Sequence, residues 1–195
     1  RVPGRFFERT LGLRAFPPLV VACPGCGMFY TIPTGKPGTP ATAGSHKPVE
    51  FSAWLVFWDP LSWPDFEANV SRMARAYPEA YTCQPNGLPG RISVAHADDL
   101  ARTVALAHQH GVKVLGTMNN YASETSDFEP KRVQLFLHDP ALMEKHVDGL
   151  IALAQTDGLD GLDVDYESLA AADRGAFSAF VARLSQKAHA LGLLV

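Results

Sequence analysis

The chain has 195 residues, 47% of them hydrophobic, and a formal net charge of −3. That is enough apolar material for one buried core, and the charge balance argues against nucleic acid or an anionic membrane surface as partner. The three cysteines, Cys23, Cys26 and Cys83, make an odd count that suits no disulfide framework. Cys23-Pro-Gly-Cys26 has the spacing of half a zinc site, but a structural zinc needs four ligands and no second pair follows, so no metal and no other cofactor is expected.

Residues 1–30 read as a leader or unassigned arm. Arg1, Arg5, Arg9 and Arg14 precede the apolar stretch 15–22, and Val20-Val21-Ala22-Cys23 resembles a lipoprotein cleavage box. Two readings stay open: an export signal with a lipid anchor at Cys23, placing the protein outside the cell or on its surface, or an arm with no such role. No stretch reaches the roughly 20 apolar residues needed to span a bilayer. Residues 31–48, with Pro33, Pro37, Pro40 and Pro48 among Gly35, Gly38 and Gly44, read as a linker with little ability to bury apolar surface. The folded domain is expected over 49–195.

Within it, 51–57 is an apolar and aromatic run of strand length that ends at Trp58-Asp59-Pro60. Phe66, Val70 and Met73 predict a helix over 65–77, stopped by Pro78. Two short strands, 79–83 and 91–94, flank the turn-rich loop Asn86-Gly87-Leu88-Pro89-Gly90. A cleaner unit follows: a helix over 98–110, Gly111 as its C-terminal cap, and a strand over 112–118. That strand ends in Asn119-Asn120-Tyr121, and a long polar loop is expected after it. Asp139-Pro140 opens another helix, and Gly158 closes it. An acidic strand comes next. Asp173 then caps a helix whose inner face carries Phe177, Phe180, Val181 and Leu184. Gly192 ends that helix, and Leu193 to Val195 begin a further strand. Strand and helix thus alternate four times, which argues for an α/β fold with a parallel sheet. An open doubly wound sheet and an eight-stranded barrel both satisfy the pattern. The absence of a Gly-rich phosphate loop after the first strand weakens the first of these.

The acidic strand carries the chemistry. In Asp160-Gly161-Leu162-Asp163-Val164-Asp165-Tyr166-Glu167, the acids Asp163, Asp165 and Glu167 fall at steps of two, so a strand presents all three on one face. Leu162, Val164 and Tyr166 then face the other way. Carboxylates this close raise one another's pKa, and a carboxyl that keeps its proton near neutral pH is what general-acid chemistry needs. A calcium loop requires Gly at its sixth position and Glu at its twelfth. Counted from Asp160 these are Asp165 and Ala171; counted from Asp163 they are Ser168 and Arg174. Along a strand, Glu167 lies roughly 7 Å from Asp165 and roughly 13 Å from Asp163, so Asp165 can contact either neighbour whereas Asp163 does not reach Glu167.

The pattern Asp-x-x-Asp-x-Asp-x-Glu, met here at Asp160, Asp163, Asp165 and Glu167, resembles the signature of family 18 glycoside hydrolases. The wider run 157–194 is similar to that family's bacterial spore-cortex and germination branch. The resemblance implies the N-terminal half of a (β/α)8 barrel, truncated after its fourth helix. It further implies a retaining glycosidase acting on a β-linked N-acetylglucosamine polysaccharide, chitin or peptidoglycan. Glu167 would protonate the glycosidic oxygen, and Asp165 would orient the substrate's own 2-acetamido group, which supplies the nucleophile. Asp163 would be the buried supporting acid, and Asp160 would fix the strand's start by hydrogen bonding. Trp58, Asn119, Asn120 and Tyr121 are candidates to line the sugar site, each with core packing or a turn as its competing role; Trp54 is a further aromatic on the first strand. Tyr166 and the seven histidines read as structural or solvated. The alternative function is a non-catalytic, lectin-like barrel; such members typically lack the final Glu, which is present here.

Overall fold

The structure is a computed structural model that describes residues 19–22, 29–32 and 50–195. Cys23, Cys26 and all but the first two residues of the expected linker lie outside the described residues. So does the proposed anchor position. Strands β1 (Leu19–Ala22) and β2 (Phe29–Ile32) pair antiparallel, so Thr31 and Ile32 belong to a strand.

The folded domain runs as β3 (Ser52–Leu55), α1 (Ser62–Asn69), β4 (Arg75–Cys83), β5 (Pro89–Arg91), α2 (Ala97–Gln109) and β6 (Lys113–Asn119). Then come β7 (Tyr121–Ala122), β8 (Asp127–Phe128), α3 (Pro130–Leu137), α4 (Pro140–Thr156), β9 (Gly161–Asp165) and α5 (Arg174–Ala190). The main strands lie in the order β3-β4-β6-β9, each parallel to its neighbour. Spatial order follows chain order without reversal. A doubly wound sheet reverses at a switch point; a barrel does not. A fifth strand has begun: Leu194 N donates to Asp160 O at 2.8 Å, Leu162 N donates to Leu194 O at 3.0 Å, and Leu194 bridges Gly161 in parallel.

The alternation follows from where apolar side chains can be buried. Leu55, Ala76, Val114, Met118 and Leu162 from the strands meet Phe66, Leu100, Val104, Leu150, Phe180 and Leu184 from the helices in one core. Each large side chain so buried contributes roughly 1.5–3 kcal/mol. Asp139 caps α4 as expected, its side chain accepting from Ala141 N at 2.9 Å and Leu142 N at 3.1 Å.

Four local expectations are corrected. The helix expected over 65–77 stops at Asn69; a 3₁₀ turn over Val70–Arg72 follows, and the chain is already strand at Arg75. Phe66, Val70 and Met73 are buried as their spacing requires, but Ala74 N donates to Phe51 O at 2.7 Å, which pulls the chain into the sheet. Pro78 therefore ends no helix; it lies inside β4, next to the register shift between Glu79 and Tyr81, where a missing N–H is tolerated. The second hairpin strand is Pro89–Arg91, and Val94–His96 is a 3₁₀ turn. The expected polar loop contains α3, which buries Val133, Phe136 and Leu137. Asp173 stands at the N-cap of α5 without capping it. Its carboxylate accepts instead from Gln134 Nε2 at 2.8 Å and His138 Nε2 at 2.9 Å, tying α3 to the start of α5.

Candidate active site

Strand β9 places the acids. Its pairing with β6 sets Asp163 beside Thr117 and Asp165 beside Asn119. Asp163 Oδ2 accepts from Thr117 Oγ1 at 2.9 Å and from Trp54 Nε1 at 2.9 Å. Trp54 belongs to β3, so its indole reaches over β4 and β6; the three side chains share one face of the sheet. Trp54 also stacks on Tyr77, with ring centroids 5.3 Å apart. A carboxylate held by two neutral donors is fixed in place without being neutralised.

Asp165 stands at the strand's end. The residue is exposed, yet partial desolvation of its carboxylate beside the sheet, followed by the charge of Asp163, raises its pKa above the ordinary carboxylate value. The expected influence of Asp163 on Asp165 is thus present. Leu162 is fully buried, and Val164 and Tyr166 pack against the core, as their parity requires.

The strand is shorter than expected: it stops at Asp165, and Glu167 lies two residues past it, exposed. Among the described residues the Glu167 carboxylate has no hydrogen-bond or ion-pair partner. Its backbone is held instead. Glu167 N donates to Asn120 Oδ1 at 2.8 Å, and Asn120 Nδ2 donates back to Glu167 O at 3.0 Å. Asn120 is fully buried and does not line the neighbouring cavity, so its position departs from a sugar-contacting role. Tyr166 is structural: its hydroxyl donates to His146 Nε2 at 2.7 Å, while His146 Nδ1 donates to Gly87 O at 2.7 Å. Burial holds His146 down at a pKa of about 4, so the imidazole is neutral and the Tyr166 hydroxyl has an acceptor.

A cavity of about 710 Å³ opens beside the acids, lined by Trp58, Glu79, Asn119, Tyr121, Ile92 and Arg132 among others. Trp58 and Tyr121 expose much of their rings there, 72% and 39%, and Asn119 joins them; three of the four candidate sugar contacts therefore meet in one place. Glu79 is the residue that sequence reasoning missed. It accepts from Asn119 Nδ2 at 2.6 Å and from Trp58. Its pKa is raised by burial and by the charge of Asp165, against the lowering effect of those donors. The signal was a lone acid inside the otherwise apolar run Ala76 to Ala80. The other acids near this cavity are paired, Glu124 with Arg132 and Asp157 with Arg91.

Asp160 sits at the opposite end of β9. It accepts from Lys113 Nζ at 2.7 Å, Val114 N at 2.9 Å and His108 Nε2 at 2.9 Å. Burial alone would raise its pKa, but these partners outweigh it and hold the group below the ordinary value. Cys83 is buried and, among the described residues, forms no disulfide; that burial pushes its thiol up to about 12. Among the described residues no three His, Cys, Asp or Glu side chains are grouped to hold a metal, and no helix is long and apolar enough to cross a membrane.

The sequence profile of glycosyl hydrolase family 85 matches residues 101–193, somewhat less than half of the chain. This is a different family number from the one the acid motif resembles. A curated relative, "Putative sporulation-specific glycosylase YdhD" of Bacillus subtilis (strain 168), is 28% identical over 115 residues, 59% of this chain and 26% of its own. The spore cortex-lytic enzyme SleL of Bacillus cereus superposes with a TM-score of 0.63 at 17% identity, covering 83% of this chain and 34% of SleL. A chitinase from Chromobacterium violaceum superposes with a TM-score of 0.62 at 18% identity, covering 72% of this chain and 43% of that enzyme. The chain spans about a quarter to two-fifths of these proteins. Likeness at such identities establishes the fold alone: the parallel strand–helix order here is that of part of a (β/α)8 barrel.

Proposed function

We propose that this chain carries the acid-bearing half of the active site of a family 18-like retaining glycosidase. Its substrate would be a β-linked N-acetylglucosamine polymer, chitin or peptidoglycan. The observation that carries the reading is the graded row on β9. Asp163 is fixed by Trp54 and Thr117, the pKa of Asp165 is raised by desolvation and by Asp163, and Glu167 lies beyond the strand with its carboxylate free of partners among the described residues. Catalytic groups of such barrels stand at the C-terminal ends of strands, and this row ends there.

In this reading Glu167 protonates the glycosidic oxygen as the bond to the anomeric carbon breaks. The substrate's acetamido oxygen attacks that carbon, and Asp165 orients the acetamido group and stabilises the charge that develops on it. Water then opens the cyclic intermediate with retention. Glu167, now deprotonated, takes the proton of that water. Asp163 supports Asp165 through its charge, which raises the pKa of its neighbour. Trp58, Asn119 and Tyr121 offer the sugar an aromatic face and an amide in the adjoining cavity. The polymer lies outside the cytoplasm, so a secreted or surface-attached protein, with Cys23 as a lipid anchor, accords with this function.

The test is Glu167→Gln in the intact protein, assayed on an N-acetylglucosamine oligomer. Positioned proton transfer is worth about 10²–10⁴-fold, so turnover should fall by at least 10². Undiminished turnover would end the proposal. Tight oligomer binding by the unmodified protein with no product would point to the lectin-like alternative.

A further inference from the structure

The geometry points to Asn120 as the positioning residue of the acid: its buried side-chain amide grips the main chain of Glu167 and sets where that carboxylate can go. The inference rests on the reading of Glu167 as the proton donor.

Glu167 lies outside the regular strand, so the sheet's own hydrogen bonds do not place it. Two sets of contacts and one backbone constraint do. On one side, Asn120 uses both ends of its amide, accepting from Glu167 N at 2.8 Å and donating to Glu167 O at 3.0 Å. An amide side chain that satisfies both backbone groups of one residue imitates a neighbouring strand. On the preceding side, Tyr166 is seated among Phe136, Phe177 and Phe180 and bonded to His146. On the following side, Ser168 has a φ of 60°, a left-handed conformation that a non-glycine residue adopts at a cost and keeps only where its surroundings enforce it. The segment is thus constrained on both sides, and among the described residues the hydrogen bonds that grip residue 167 directly come from Asn120.

Asn120 is fully buried, with the Asn119–Glu79 contact at the neighbouring position. It does not line the cavity, and its side-chain hydrogen bonds go to the Glu167 backbone and not to an acid side chain. Its effect on chemistry must therefore pass through Glu167, which distinguishes it from a substrate contact. A misplacement of about 1 Å at a reacting group can cost about 10²-fold.

The experiment compares two substrates in the intact protein. One is an N-acetylglucosamine oligomer, whose leaving group needs a proton. The other is the dinitrophenyl glycoside of the same sugar, whose leaving group departs without one. Asn120→Ala should lower kcat on the oligomer about 100-fold with KM within threefold, and lower kcat on the dinitrophenyl glycoside less than threefold. Asn120→Asp keeps the acceptor but turns a carboxylate toward Glu167 O. It should show the same pattern at about tenfold, and it is the variant to read if Asn120→Ala does not fold. Equal losses on both substrates, a change carried by KM, or unchanged kcat on the oligomer would overturn the inference. Glu167→Gln is run alongside. If it is inactive on the oligomer while both Asn120 variants are fully active, the positioning role alone is wrong; if it is fully active, both readings fall.

Discussion

Strand β9 carries an aspartate near each end, and the two are treated in opposite ways. Asp160, at the start, is surrounded by an ammonium, an imidazole and a backbone N–H, and its pKa is lowered. Asp165, at the finish, has no such donors among its determinants, only desolvation and the charge of Asp163, and its pKa is raised. The first arrangement stabilises a charge and so stabilises the fold. The second tolerates an uncomfortable charge, which is useful only if a ligand later supplies what the protein withholds. The same residue type, five positions apart across one strand, separates a stabilised charge from a destabilised one.

Substitution at the two ends should split accordingly. Asp165→Asn should lower kcat by about 10²–10³-fold, as expected for losing a preorganised charge, while leaving the thermal midpoint unchanged or slightly higher. A melt and an oligomer assay on the same preparation check both halves. Acid should act next most strongly, through His146. Its pKa is depressed from 6.5 to about 4 by burial, so the unfolded chain binds the proton first. Its contribution is complete above pH about 6.5 and is lost as pH falls toward about 4, on the order of 3 kcal/mol. Denaturant titrations across that range should show the slope, and His146→Gln should flatten it. Asp160, whose pKa is lowered, loses its contribution only below the ordinary carboxylate range, so the two groups separate by pH.

Asp160→Asn should destabilise by about 1–2 kcal/mol, because Lys113 is largely exposed and screened. Its kcat should stay within threefold; a large kinetic loss there would erase the contrast between the two ends. The smallest effect is expected from Trp54→Phe, which deletes one donor to Asp163. A few-fold drop in kcat with less than about 1 kcal/mol of stability is the expected outcome, read from the same two assays.

Much of this was legible in the chain itself. The apolar runs gave the strands, and Gly111, Gly158 and Gly192, all with positive φ, punctuated the helices where residues with a Cβ are strained. Helix α3 was hidden although Glu129-Pro130 repeats the cap-and-proline signal of Asp139-Pro140; the polar residues before it masked its short stripe. Pro78 misled because a local rule about helix ends was applied where the sheet had already taken the chain. At the site, the acids announced themselves by spacing along one strand. Glu79 and the grip of Asn120 on Glu167 did not, because each depends on a partner 40 or more positions away, and no local pattern encodes such a pairing.

Gly161 carries a last consequence. A methyl group built there would come within 2.4 Å of Leu194 O, in the place where the next strand leans against β9. Any side chain at this position would act as a wedge at the foot of the acid strand, prising its neighbour outward. Attempts to graft the acid motif onto another scaffold should therefore carry this bare position along with the carboxylates.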